Sequence, residues 1–181
     1  VVFSDYMKPA IRLGAIQELP VKYVWTHDAF RVGEDGPTHQ PIEQEAQIRL
    51  MEKVQNHSHK NSFLALRPAD AAETTVAWKM AMENTEVSTG LILSRQNIKD
   101  LPAKGNRYEE ALQAEKGGYL VQEVENPDVV LIANGSEVST LVAGAALLEE
   151  KKGLKVNIAS IISEGLFRSQ DKAYQESVIP T

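Results

Sequence analysis

Short apolar runs of strand length alternate along this chain with helix-length amphipathic segments, and no other feature restricts its fold as much. Strands separated by helices build βαβ units, whose strands lie parallel in a sheet covered by helices. Residues 21–25, after Pro20, form a β-branched and aromatic strand run, and the polar, glycine-rich stretch 26–40 reads as a long loop. Pro41, Glu43 and Glu45 then suit a first helical turn, and Ile42, Ala46 and Leu50 recur at i, i+4 and i+8, predicting a helix that buries that face. Residues 62–67 read as a second strand closed by Pro68. Asp70 to Glu73 resembles a capping box opening a helix to about Asn84, and Leu91 to Leu93 belong to a third strand ending at Ser94 and Arg95.

The pattern turns irregular and polar over 99–117, with Pro102, Gly105 and Asn106, and reads as a linker rather than a core element. A second unit is expected from residue 118: a buried strand over 129–133, a helix capped by Gly135 and Ser136 and ended by Gly153, then a strand over 154–160. The predicted organisation is a first α/β unit over 1–98, a linker over 99–117 and a second α/β unit over 118–181. Pro9 either opens a helix running to Gln17 or kinks one that began near Phe3, and the first reading is preferred.

The 181 residues, 43% apolar and 24% charged, can bury a core as one large domain or two small ones. A net charge of −6, with no dense Lys/Arg stripe, disfavours nucleic acid and acidic membranes as partners. The absence of cysteine removes disulfides and thiolate chemistry and makes the cytoplasm the default location. The apolar runs at 129–133 and 141–148 fall short of the roughly 18 to 20 residues a membrane span requires. The first residues show no initiator methionine and no signal-peptide pattern, so the chain reads as one entered midway.

In open α/β sheets ligands bind beyond the carboxyl ends of the strands. Two groups sit there: Thr26-His27-Asp28, continuing into the glycine-rich segment that ends at His39, and Ser94-Arg95-Gln96-Asn97. His27 and His39 share one loop with Asp28, Glu34 and Asp35, where imidazoles could transfer protons or bond a polar substrate, although a lone loop histidine is more often a solvated or capping residue. His27 and His39 stand twelve positions apart, which matches no compact helical ligand pair, so no metal site is expected in the chain. His57 and His59 lie in a polar surface loop and receive no function. Arg95 could grip a phosphate or carboxylate, or form a surface ion pair. Phe3 and Tyr6, three residues apart, could share a helical face and stack on a flat heterocycle, or serve as core. Asn134 to Glu137 could cradle an anion at a strand-to-helix turn, and helix capping by Ser136 is the preferred account.

Gly33-Glu34-Asp35-Gly36-Pro37-Thr38-His39-Gln40-Pro41, preceded by Thr26-His27-Asp28, closely resembles the transketolase family of thiamine diphosphate enzymes. Phe3-Ser4-Asp5-Tyr6, Arg67-Pro68-Ala69-Asp70, Leu93-Ser94-Arg95-Gln96-Asn97 and Ala133-Asn134-Gly135-Ser136-Glu137-Val138 follow in the family's order across almost the whole chain. The resemblance implies the later part of a thiamine-diphosphate-binding pyrimidine domain over 1–98 and the first part of a transketolase C-terminal domain over 118–181. It also implies site roles. Phe3 and Tyr6 match aromatics around the cofactor's aminopyrimidine, His27 and Arg95 match residues that bind the sugar phosphate, and Asp35 matches one that bonds a substrate hydroxyl. His39 matches a residue at the cofactor's reactive face that assists proton movement, and with His27 forms the expected catalytic pair.

The activity so implied is reversible transfer of a two-carbon ketol group from a ketose phosphate to an aldose phosphate, through a thiamine diphosphate adduct, in the pentose phosphate pathway. The family's activating glutamate and its N-terminal domain, which binds the diphosphate and Mg²⁺ or another divalent cation, have no counterpart in these residues. The isolated chain is therefore expected to be inactive, and the complete protein to form a homodimer. Related readings are dihydroxyacetone synthase, which uses formaldehyde, deoxyxylulose phosphate synthase, and a non-catalytic binding subunit. Phe30-Arg31 replaces the family's more usual Ile-Gly type pair, which predicts an effect on acceptor preference.

Overall fold

A computed structural model describes residues 1–28, 36 and 38–180. The first unit comprises α1 (Ser4–Ile16), β1 (Lys22–Trp25), α2 (Gln44–Glu52), β2 (Phe63–Leu66), α3 (Ala71–Glu83) and β3 (Ser88–Ile92). Its three strands form a parallel sheet in the order β1-β3-β2. β3, the central strand, is buried at every position, as a strand paired on both edges and covered on both faces must be. Asp70 caps α3 by accepting from Glu73 N at 2.8 Å, but Glu73 does not complete the capping box: its carboxylate accepts from Ala69 N at 2.8 Å.

The second unit comprises β4 (Tyr119–Gln122), β5 (Val129–Ala133), α5 (Glu137–Lys152), β6 (Val156–Ser160), α6 (Glu164–Arg168) and α7 (Lys172–Val178). Its sheet has the order β4-β6-β5, with β5 parallel and β4 antiparallel to β6. α5 ends at Gly153 with a left-handed backbone, φ +67°, where a glycine stop was expected. The α/β class with mainly parallel sheets therefore holds, with β4 as an addition whose short run 119–122 gave no period to read.

Four expectations are corrected. The first helix starts at Ser4 and carries Pro9 inside it, because only the hydrogen bond from the position of Pro9 is lost while the burial of Ile11 and Gly14 continues the helix. α2 buries Gln44, Ile48 and Glu52, two positions out of register with the predicted face; Ile42 is 88% and Leu50 61% exposed. Polar anchors turned the helix: Glu52 accepts from Ala65 N and from Ser163 Oγ, which outweighs the apolar face. β5 is half buried rather than buried, since it is an edge strand and Ile132 and Ala133 border an open cavity. Finally, the segment read as a linker contains α4 (Arg107–Ala111) and a 3₁₀ turn (Leu112–Lys116). Ala111 and Ala114 enter one core with Leu66, Val76 and Leu91 of the first unit and Tyr119 and Ile162 of the second. Small alanines spaced among charged residues carry a weak apolar signal, which is why this packing was not visible in the pattern.

Candidate functional site

β1 and β3 run side by side with Trp25 opposite Ile92, and Leu93 N donates to Trp25 O at 2.7 Å. Their carboxyl ends thus open on the same side, and the chain leaves them as Thr26-His27-Asp28 and Ser94-Arg95. A cavity of about 510 Å³ lies beyond β1, walled by Phe3, Trp25, Thr26, His27 and His39 among others. The structure therefore brings Phe3, His27 and His39 together from three separate stretches of the chain.

Each element contributes for a local reason. The start of α1 presents Phe3 and Tyr6 on one face, 50% and 83% exposed, with ring centroids 5.9 Å apart. His39 meets Phe3 edge-on at 5.0 Å. His27 has a left-handed backbone, φ +65°, uncommon for a residue with a side chain. In both histidines Nδ1 is engaged by the hydroxyl of the preceding threonine, at 2.9 Å from Thr26 and 2.8 Å from Thr38. A hydroxyl can donate or accept, so either ring can carry its proton on the other nitrogen. Arg95 is exposed, follows the neighbouring strand and is not part of the cavity wall. Asp35, with Phe30 and Arg31, lies outside the described residues.

Directly behind His27 lies a buried polar network that the sequence reading did not weigh. Arg67 follows β2 as His27 follows β1, so the rule that singled out the other two strand ends applied to it equally. Its guanidinium donates to Asp28 Oδ2 at 3.1 Å and Asp28 O at 2.9 Å, to Glu137 Oε2 at 2.6 Å and to Asn134 Oδ1 at 2.5 Å, and pairs with Glu45 at 3.2 Å. Burial acts to lower the Arg67 pKa, but Glu45, Glu137 and Asp28 outweigh it and hold the group above its ordinary value.

The turn at Asn134 to Glu137 is correspondingly not a helix cap of the expected kind. The Ser136 hydroxyl accepts no capping bond from the backbone of α5; it donates to Asp28 Oδ2 at 2.7 Å. Gly135 has φ +56° and packs against Arg67, whose Nε would lie 2.5 Å from any Cβ placed there. The first unit's own carboxylate thus fills the turn considered as an anion cradle.

A second network joins the units near α3. Arg107 Nε donates to Asp70 Oδ2 at 2.7 Å and its NH2 group to Tyr119 Oη at 2.7 Å, while Tyr119 donates to the fully buried Glu73 at 2.8 Å. Burial raises the Glu73 pKa, the hydrogen bond from Ala69 opposing it most strongly. Among the described residues no group of three His, Cys, Asp or Glu side chains could hold a metal ion, and no helix is long and apolar enough to cross a membrane.

Comparison with known proteins agrees with this architecture. The family model for the transketolase pyrimidine binding domain matches residues 1–100, and that for the transketolase-like C-terminal domain matches residues 117–181. A transketolase of Bacillus subtilis is 45% identical over 99% of this chain, and one of Geobacillus stearothermophilus 42% identical over the same share. The crystal structure of a Pichia stipitis transketolase in complex with sedoheptulose 7-phosphate superposes with a TM-score of 0.82 at 37% identity, over 99% of this chain and 24% of that one. The chain spans about a quarter of the length of the curated relatives it matches, 25% in both.

Proposed function

The chain belongs to the transketolase family, and from that premise we propose that it forms part of the active site of a transketolase, which moves a two-carbon ketol unit reversibly from a ketose phosphate to an aldose phosphate in the pentose phosphate pathway. The observation that carries this reading is the gathering of Phe3, His27 and His39 on one cavity beyond the carboxyl end of β1, with Tyr6 beside Phe3. Two large aromatic rings left half or more exposed fit a flat heterocycle stacked against them. We assign that place to the aminopyrimidine of thiamine diphosphate. When bound, the cofactor supplies the nucleophilic carbon and the electron sink for carbon–carbon cleavage.

The chain's own residues would then do the following. Phe3 and Tyr6 hold the pyrimidine ring. His39, edge-on to Phe3, stands at the reactive face and moves a proton to or from the substrate oxygen; a donated bond from Thr38 to its Nδ1 would put the proton on Nε2. His27 and Arg95, leaving adjacent strands, grip the sugar phosphate, and Asp35 bonds a substrate hydroxyl. The diphosphate and the divalent cation, Mg²⁺ or another, belong to an N-terminal domain in this reading. We assign 1–98 to the pyrimidine domain, 99–117 to a packed connector and 118–181 to the C-terminal domain.

The working enzyme is a homodimer in this reading, acting in the cytoplasm on sugar phosphates. Ile16 of α1 and Leu50 of α2, both exposed, line one cavity between the two helices and support a partner there. The test is ketol transfer from xylulose 5-phosphate to ribose 5-phosphate by a full-length polypeptide bearing this sequence, loaded with thiamine diphosphate and Mg²⁺. His39→Ala lowers turnover by about 10²-fold or more, and the 181-residue chain by itself transfers nothing. A folded, cofactor-loaded protein without transfer activity overturns the reading, and so does an unimpaired His39→Ala variant.

A further inference from the structure

Asp28 is the residue after His27, and both units of the chain hold it. From the first unit, Arg67 donates to its carbonyl oxygen at 2.9 Å and its carboxylate at 3.1 Å. From the second, the fully buried Ser136 donates its hydroxyl to Oδ2 at 2.7 Å, with its backbone N–H at 3.4 Å. The same Oδ2 thus receives donors from turns that leave two different sheets. On the other side, Thr26 engages the ring of His27 through Nδ1 at 2.9 Å. Between these anchors His27 adopts φ +65°, a conformation that persists in a residue with a side chain only where its surroundings determine it.

We infer that Asp28 and Ser136 are positioning residues for His27: a hydroxyl from the second unit fixes the aspartate behind the histidine and so keeps the imidazole at the cavity wall. The second unit thereby takes part in substrate binding although Ser136 and Glu137 do not line that cavity. Neither residue touches substrate. The consequence is selective, because only contacts made by His27 depend on the clamp. The inference rests on the reading that His27 grips the phosphate of the sugar.

The test compares wild type, Ser136→Ala, His27→Ala and the double variant in the full-length, cofactor-loaded enzyme, measuring KM for xylulose 5-phosphate and for the unphosphorylated ketose erythrulose. Loss of a hydrogen bond to a charged group predicts that Ser136→Ala raises KM for the phosphorylated donor about five- to tenfold, while KM for erythrulose moves less than about twofold. In the His27→Ala background Ser136→Ala adds no further rise. A purely structural role would lower apparent kcat for both donors alike through the folded fraction and leave both KM values unchanged, and that result overturns the inference. An equal rise with and without His27 also overturns it. If His27→Ala leaves KM for the phosphorylated donor unchanged, the phosphate reading itself fails, and that arm does not involve Ser136. Should Ser136→Ala not fold, Ser136→Cys carries the same test, since a thiol keeps the volume but is a weaker donor.

Discussion

The Arg67 guanidinium and the Asp28 carboxylate meet at 3.1 Å with side chains 6% and 2% exposed, which makes this pair the most deeply buried contact between charged groups beside the candidate site. A pair this deep stabilises little by its presence, because desolvation offsets much of the attraction, but removing one member strands the other. Arg67→Ala leaves Asp28 without its guanidinium partner and Glu45 and Glu137 without theirs at this point. The expected loss is about 3 to 5 kcal/mol, read from urea denaturation of the variant against wild type. A loss below about 1 kcal/mol, the value of a surface pair, would mean that water solvates the cluster.

Gly117 marks the point where the chain passes from the 3₁₀ turn into the second unit. Its φ is +88°, and a Cβ placed there would lie 2.3 Å from Phe167 N and 2.8 Å from Ser163 O. Both neighbours are backbone, so no side chain can swing aside. Gly117→Ala is expected to cost more than about 3 kcal/mol or to abolish folding, checked by circular dichroism and thermal melting.

The units are also joined through Glu52, whose carboxylate accepts from Ala65 N at 2.8 Å, Ser163 Oγ at 3.0 Å and Gly165 N at 3.3 Å. Burial raises its pKa above the ordinary 4.5, the hydrogen bond from Ala65 being the largest opposing influence. A raised carboxyl pKa means that the folded chain keeps a proton the unfolded chain has lost, so stability falls as pH rises from the ordinary value through the raised one. The lowered carboxylates Asp5, Glu18 and Glu164 act below that window. Denaturant titrations between about pH 5 and pH 7 should show a steeper decline for wild type than for Glu52→Gln. Parallel curves would show that Glu52 ionises in the fold as it does in the unfolded chain.

Tyr119 links Arg107 to Glu73, accepting from the first at 2.7 Å and donating to the second at 2.8 Å. Burial, and then the charge of Glu73, push its phenol well above the ordinary value. Tyr119→Phe removes the hydroxyl and keeps the ring, leaving both charged groups short of a partner. A loss of about 1 to 3 kcal/mol in thermal or urea unfolding is expected, with the α/β circular dichroism signature unchanged.

The sequence by itself determined the strand–helix alternation, the parallel sheet of the first unit, the stop at Gly153 and the strand ends from which His27 and Arg95 depart, because these follow from local period, capping chemistry and apolar runs. The tertiary structure alone decided which face of α2 is buried, since polar anchors on Glu52 come from residues more than ten and more than a hundred positions away and leave no period to read. It alone decided that Ser136 serves Asp28 rather than its own helix, and that Arg67 stands at the centre of a network spanning both units. It also decided that Phe3, just before α1, meets His39 across a separation of 36 positions. Burial and partnership between distant segments are properties of the folded chain, and a polar residue carries no mark in the sequence of whether its partner will be water or another unit of the same molecule.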